Sequence, residues 1–127
     1  MSSNNTLKIL VTDVNRYIRM LIERELTQEG YDVLCANNGI DAYRRLCEDR
    51  SIDLVILDPE LFYPYGRTIF TSTLEKHVST KIILHTYPDM LESTDYHQDI
   101  TVIEKNAESI YPLKEHVRKI SRSRTLP

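Results

Sequence analysis

The chain has 127 residues, a net charge of -3 at pH 7 and 28% charged residues, which suits one domain with its own core. Its two cysteines, Cys35 and Cys47, form no Cys-x-x-Cys motif, so we expect reduced thiols and a cytoplasmic protein. No apolar run approaches the roughly 20 residues needed to cross a bilayer, and basic residues cluster only at Arg118–Arg124, which argues against membrane insertion and nucleic-acid binding.

Short apolar runs alternate with stretches of helical period, a pattern typical of βα units on a parallel sheet that is covered on both faces. The continuous run Lys8–Thr12 predicts a central strand. In the helix predicted after it, Asn15 is the candidate cap and Gly30 the stop. The positions expected on the buried face of this helix are Ile18, Leu21, Ile22 and Leu26.

The next two strands are predicted at Tyr31–Ala36 and Ile52–Leu57. Between them, the turn-forming Asn37-Asn38-Gly39 leads into a short helix. Because Pro59 has no N–H to donate to a sheet, the third strand should end where the carboxylate of Asp58 begins. The short helix is expected to share one face among Ala42, Tyr43, Leu46 and Cys47.

The second half of the chain is less regular. A helix is predicted around Ile69–Leu74, and a strand at Lys81–Leu84 that ends near Thr86. Pro88–Gln98 has few apolar residues and no clear period, so a short or irregular fourth helix is expected there. The last strand is predicted at Thr101–Ile103. A closing helix follows, with a stripe made of Ile110, Leu113, Val117 and Ile120.

Four polar residues lie at or just beyond the carboxyl ends of four predicted strands: Asp13, Asp58, Thr86 and Lys105. In open α/β sheets, sites form at this edge. Two acids, a hydroxyl and an ammonium there suit phosphoryl transfer to a carboxylate. Two other interpretations stay open. The acids are turn residues without chemistry, or Lys105 is a salt-bridge partner of Asp58 in a site that never meets phosphate.

The segments around these residues resemble receiver domains of two-component response regulators. They are Lys8-Ile-Leu-Val-Thr-Asp13, Ile52-Asp-Leu-Val-Ile-Leu-Asp58 with Gly66 after it, Lys81-Ile-Ile-Leu-His-Thr86 and Val102-Ile-Glu-Lys105. The resemblance covers about residues 7–120. It implies an α/β, flavodoxin-like (βα)5 three-layer sandwich with a parallel sheet of strand order 2-1-3-4-5.

The resemblance also implies a role for each site residue. Asp58 is the expected phosphoacceptor, with self-phosphorylation and autodephosphorylation there, and Thr86 and Lys105 are expected to bind the phosphoryl group. Asp13, Asp58 and the backbone carbonyl of Glu60 are expected to hold Mg²⁺. The expected partners are a sensor histidine kinase or phosphotransfer protein and a downstream protein target.

This sequence departs from the family pattern at several positions. Val14 replaces the usual second acidic residue, which should weaken Mg²⁺ binding. Asn106 replaces a common proline, and Val102 replaces the usual aromatic residue of the last strand. These departures favour a second hypothesis, a pseudo-receiver that binds proteins independently of phosphorylation. A flavin or nucleotide enzyme is disfavoured because the Thr12–Arg16 turn has no glycine-rich or hydroxyl-rich phosphate cradle.

We expect residues 1–127 to form one domain, with a core at about 7–120 and a tail or the start of a linker at 121–127. A monomer or weak dimer is expected, with no nucleic acid or membrane bound by this domain. His85 is expected to pack against a helix and is given no ligand role.

Overall fold

The structure is a computed structural model that describes residues 6–62, 80–87 and 100–125. The strands in these ranges are β1 (Lys8–Thr12), β2 (Asp32–Ala36), β3 (Leu54–Leu57), β4 (Lys81–Thr86) and β5 (Ile100–Glu104). The helices are α1 (Arg16–Gln28), α2 (Gly39–Glu48) and α3 (Ile110–Thr125). A single 3₁₀ turn covers Pro59–Phe62, directly after β3 and Asp58.

All five strands are parallel, and their order is β2-β1-β3-β4-β5, so the predicted strand order is confirmed. Within the sheet β1 pairs with β3, and Val11 lies opposite Ile56. The carboxyl ends of these two strands are therefore side by side. All four residues of β3 are buried, as expected of a central strand whose sequence is a continuous apolar run.

Apolar side chains cover both faces of the sheet, which confirms the three-layer arrangement. On one face α2 and the 3₁₀ turn pack over a cluster that includes Leu10, Val55, Leu57, Ala42, Leu46, Leu61 and Phe62. On the other face α1 and α3 pack over a cluster that includes Ile9, Val11, Ile56, Ile22, Leu26, Leu113 and Val117. Burial of these side chains is the main favourable contribution to folding.

Helix α1 begins and ends where the sequence predicts. The side chain of Asn15 accepts hydrogen bonds from two backbone N–H groups of the first turn. At the other end Gly30 has a φ of 96°, a conformation that costs a side chain energy and that glycine adopts freely. The N–H of Tyr31 donates back to the carbonyl of Leu26 at 3.3 Å, which completes a Schellman termination.

Two residues predicted on buried helix faces are in fact exposed. Leu21 of α1 is 37% exposed, and Cys47 of α2 faces solvent. Neighbouring helical residues are rotated by about 100°, so Leu21 lies beside the narrow stripe that buries Ile22 and Leu26. The prediction was wrong because it assumed wider buried faces than these two helices have.

Some predictions concern other parts of the chain. The helix around residues 69–74, Gly66 and the irregular fourth helix all lie outside the described residues.

At the carboxyl end, α3 continues to Thr125, and the guanidinium of Arg124 contacts Asp53 Oδ2 at 2.6 Å. Within the described part of the chain, none of the helices combines the length and apolarity that a membrane crossing requires.

Candidate functional site

Asp13 and Asp58 lie at the same edge of the sheet, each directly after a central strand. Asp13 follows β1, Asp58 follows β3, and these strands are neighbours. Both carboxylates are buried. Pro59 begins the 3₁₀ turn immediately after Asp58, which turns the chain away from the sheet at that point. Two acids are thus held close together with little access to water.

Lys105 lies between the two acids. It follows β5, and its backbone N–H donates to the carbonyl of Thr86 at 2.8 Å, which fixes it beside the end of β4. Its Nζ is 2.9 Å from Asp13 Oδ2 and 3.0 Å from Asp58 Oδ2. The ring centroid of Tyr87 lies 5.4 Å from the same Nζ, at cation–π distance. One buried ammonium therefore bridges both carboxylates.

Backbone N–H groups hold the other oxygen of each acid. The N–H of Asn15 donates to Asp13 Oδ1 at 2.8 Å, and the N–H of Glu60 donates to Asp58 Oδ1 at 3.0 Å. Each carboxylate is thus oriented on one side by the chain that follows it and on the other by Lys105. These contacts fix the orientation of both carboxylates.

Thr12 is a residue of the site that the sequence interpretation missed. Its hydroxyl donates to the carbonyl of Ile56 at 3.0 Å and accepts from the backbone N–H of Asp58 at 3.1 Å. This buried side chain of β1 therefore fixes the end of β3. The sequence feature that could have indicated this role is a hydroxyl residue between the apolar run Ile9–Val11 and Asp13.

The structure brings Asp13, Asp58 and Lys105 into contact, and it places Thr86 and Glu60 around them. Thr86 is buried at the end of β4, and its hydroxyl lies 3.5 Å from the carbonyl of Tyr87, long for a hydrogen bond. Glu60 is half-buried and reaches Asp58 through its backbone N–H. The metal-binding role predicted for its carbonyl stays a prediction.

Burial and neighbouring charges shift the pKa values of this pocket. Burial raises the pKa of Asp58, and the charge of Asp13 adds to the rise, while Lys105 and the N–H of Glu60 offset only part of it. Burial alone would lower the pKa of Lys105, but the two carboxylates outweigh burial and raise it. The pocket thus combines a firmly charged ammonium with a carboxylate of increased basicity.

No protein-family model matches the chain. Its structure is similar to that of the response regulator protein TrrA from Thermotoga maritima, in complex with Mg²⁺ and BeF. The two are 32% identical, the match covers 91% of this chain and 99% of TrrA, and the TM-score is 0.76. The chain belongs to the response regulator receiver family.

Two further comparisons agree with this assignment. The receiver domain is similar to TrrA in complex with the histidine kinase ThkA, with 30% identity, a TM-score of 0.65, and 91% of this chain and 98% of that chain covered. The transcriptional regulatory protein AruR of Pseudomonas aeruginosa is 37% identical over 79 residues, 59% of this chain and 31% of AruR. The receiver domain spans less than a third of the length of the curated relatives it matches.

The residues of this receiver domain fit Mg²⁺ together with a phosphoryl group better than they fit Mg²⁺ alone. Asp13 Oδ2 is held by the Lys105 ammonium at 2.9 Å, so a metal at this oxygen would share it with Lys105 or displace the ammonium. Mg²⁺ is typically held by one or two carboxylates plus phosphate oxygens, and Asp13 and Asp58 supply two. Val14 adds none, and the described residues contain no group of three or more acid, histidine or cysteine side chains suited to a metal.

Proposed function

We propose that this receiver domain accepts a phosphoryl group on Asp58 from a sensor histidine kinase or a phosphotransfer protein. The observation that carries the proposal is the buried ammonium of Lys105, in contact with both Asp13 and Asp58 at the carboxyl edge of the sheet. TrrA, which is similar over nearly its whole length, binds Mg²⁺ with BeF and forms a complex with a histidine kinase.

In the proposed step, a carboxylate oxygen of Asp58 attacks the phosphorus of the donor. An O–P bond forms, the P–N bond to the donor imidazole breaks, and the nitrogen keeps the electron pair and takes up a proton. The raised pKa of Asp58 favours this attack, because a more basic oxygen is a better nucleophile. In autodephosphorylation, water attacks the same phosphorus, the O–P bond to Asp58 breaks, and the carboxylate is restored while inorganic phosphate is released with the protons of the water.

Lys105 and Thr86 would bind the transferred group. A phosphoryl group adds about -1.5 to -2 charge, and the ammonium of Lys105 already lies within hydrogen-bond distance of Asp58. In the described part of the chain the contact of the Thr86 hydroxyl is a long one, with the carbonyl of Tyr87, so the hydroxyl can turn to donate to a phosphoryl oxygen. Their movement toward the new charge would change the nearby surface, which a downstream protein can recognise.

Asp13, Asp58 and the backbone carbonyl of Glu60 would hold Mg²⁺ in this receiver domain. When bound, Mg²⁺ stabilises the negative charge on the phosphoryl oxygens during transfer. The N–H groups of Asn15 and Glu60 keep one oxygen of each acid in place, which leaves the oxygens now contacted by Lys105 for the metal and the phosphoryl group.

An exposed apolar row beside the pocket supports a protein as donor. It consists of Val14, Tyr17, Met20 and Leu21, which follow Asp13 and continue along α1. Exposed apolar side chains that adjoin one another commonly mark protein contacts. A kinase docked on this row would place its phosphohistidine near Asp58, so the row is the proposed docking surface.

A second candidate function is a pseudo-receiver that binds proteins with a silent pocket. Val14 favours it, because the pocket lacks one metal-binding acid. Lys105 favours it as well, since the ammonium already neutralises part of the charge that would attract a metal. In that case the exposed row on α1 still binds a partner, but Asp58 takes no phosphate.

Intact mass spectrometry separates the two candidates. The protein is incubated with acetyl phosphate and Mg²⁺, beside Asp58→Asn as the matched control. The proposal expects one phosphoryl group on the native protein and none on Asp58→Asn. If the native protein gains no group under conditions that label an ordinary receiver domain, the proposed phosphorylation fails and the pseudo-receiver is favoured.

A further inference from the structure

The loop between β5 and α3 carries Lys105, and a small hydrogen-bond network holds it. The hydroxyl of Ser109 donates to the carbonyl of Asn106 at 2.9 Å and accepts from the N–H of Asn106 at 3.4 Å. The side chain of Asn106 accepts from the N–H of Glu108 at 2.8 Å. A proline at position 106 would have no backbone N–H to donate to Ser109, so this network depends on the asparagine at that position.

His85 joins this network from β4. It is 1% exposed, and its Nε2 lies 2.8 Å from the hydroxyl oxygen of Ser109. Because the single hydroxyl hydrogen of Ser109 goes to the carbonyl of Asn106, the oxygen must accept from His85. Nε2 therefore carries the hydrogen, and Nδ1, which has no hydrogen-bond partner among the described residues, is the bare nitrogen. Burial and the charge of Lys105 lower the pKa of His85 to about 4, so the ring is neutral at pH 7.

These contacts hold Lys105 through both of the last two residues of β4. The N–H of Lys105 is bonded to the carbonyl of Thr86, and the next residue, Asn106, is tied through Ser109 to His85. Thr86 acts through its backbone carbonyl, in the plane of the sheet, whereas His85 acts through its side chain on one face of β4. The last two residues of β4 together determine where the ammonium-bearing loop lies.

We infer that His85 is a positioning residue, which acts through Ser109 and Asn106 to hold Lys105 between Asp13 and Asp58. The inference rests on the proposed function insofar as Lys105 binds the phosphoryl group. If His85 only filled space, its replacement by leucine would leave the position of Lys105 unchanged. If His85 donates to Ser109, the replacement shifts Lys105, because the buried hydroxyl oxygen loses a donor and the loop loses its link to β4.

The test is the affinity for beryllofluoride in the presence of Mg²⁺, since beryllofluoride is a tetrahedral analogue of the phosphoryl group. We expect His85→Leu to bind it about three- to tenfold more weakly, the range that one hydrogen bond provides. His85→Gln keeps an Nε2 donor and should bind as the native protein does. In a Lys105→Met background, His85→Leu should cause no further loss, because its effect passes through Lys105.

Two results would overturn the inference: native affinity in His85→Leu, or an equal loss with and without Lys105. If the native protein does not bind beryllofluoride at all, the proposed function fails, and amide hydrogen exchange then decides the role of His85. The N–H of Lys105 should exchange faster in His85→Leu and return to the native rate in His85→Gln. An unchanged rate in His85→Leu would contradict the positioning role.

Discussion

The backbone N–H of Asp58 donates a hydrogen bond of 3.1 Å to the buried hydroxyl of Thr12 on the neighbouring strand. The same hydroxyl donates to the carbonyl of Ile56 at 3.0 Å. One side chain of β1 thus satisfies two buried backbone groups at the end of β3. The position of the proposed phosphoacceptor depends on this hydroxyl as well as on its own strand.

Replacing Thr12 with valine should destabilise the fold and the site together. Valine has nearly the same shape, but it leaves the N–H of Asp58 and the carbonyl of Ile56 without their shared partner. We expect a loss of about 1–3 kcal/mol in the free energy of unfolding, measured by urea denaturation. Thr12→Ser keeps the hydroxyl and should lose less. Equal stability of Thr12→Val and the native protein would show that this contact is unimportant.

Replacing Asp58 with asparagine should stabilise the protein at neutral pH. Burial and Asp13 raise the pKa of Asp58 above its usual value of 3.8, so the folded state binds this proton more tightly than the unfolded chain does. The native protein therefore loses stability as pH rises from below 3.8 through the raised pKa, whereas the asparagine does not titrate. Each unit by which the pKa of Asp58 in the folded state exceeds its pKa in the unfolded state corresponds to about 1.4 kcal/mol of stability lost at neutral pH.

Urea denaturation of both proteins over a pH series measures this difference. The advantage of Asp58→Asn should be greatest at neutral pH and disappear in acid, where Asp58 is protonated in the folded and unfolded states. If Asp58→Asn were less stable than the native protein at neutral pH, the attraction of Lys105 for Asp58 would outweigh the cost of burying the Asp58 charge.

Adding an acid at position 14 should strengthen Mg²⁺ binding. Val14 is 46% exposed and directly follows Asp13, so an aspartate there can add an anion beside the pocket without disturbing the core. Two opposite charges 4 Å apart attract by about 4 kcal/mol at an effective dielectric constant of 20, before desolvation is counted. We expect Val14→Asp to bind Mg²⁺ at least about tenfold more tightly by calorimetry. The uncharged Val14→Asn is the control, and equal affinities of the two variants would refute the prediction.

Gly39→Ala should disturb the turn that follows Asp58. A Cβ at Gly39 would lie 2.7 Å from Phe62 Cδ1 and 3.1 Å from the carbonyl oxygen of Leu61, both in the 3₁₀ turn. Overpacking of this kind lowers stability by about 1–3 kcal/mol, and thermal denaturation should show it. Gly30→Ala is the comparison, because an added Cβ there would meet no atom of the described residues within 4 Å, and the strain would come from the φ of 96°. We expect Gly39→Ala, but not Gly30→Ala, to be phosphorylated more slowly than the native protein. Equal phosphorylation rates in the two variants would show that this turn does not affect the site.

The apolar runs of β1 and β3 and the acids that follow them were readable from the sequence, because a buried strand has a strong periodic signal and a definite end. The strand order came with the family resemblance, which joined four separate segments. Thr12 and His85 were not recognised as partners of the site. A threonine or histidine in a strand carries no local sign of its partner, since the partner is fixed only by register and helix packing. Leu21 was misplaced because spacing alone does not give the width of a buried face.

Chemical trapping identifies the residue that carries the phosphoryl group. After incubation with acetyl phosphate and Mg²⁺, borohydride reduces an acyl phosphate to an alcohol and converts the modified aspartate to homoserine. Peptide mass spectrometry should then find homoserine at position 58 and unchanged aspartate at Asp13. Unmodified Asp58 in a protein that is folded and saturated with Mg²⁺, or homoserine at Asp13 instead, would contradict the proposal that Asp58 is the phosphoacceptor.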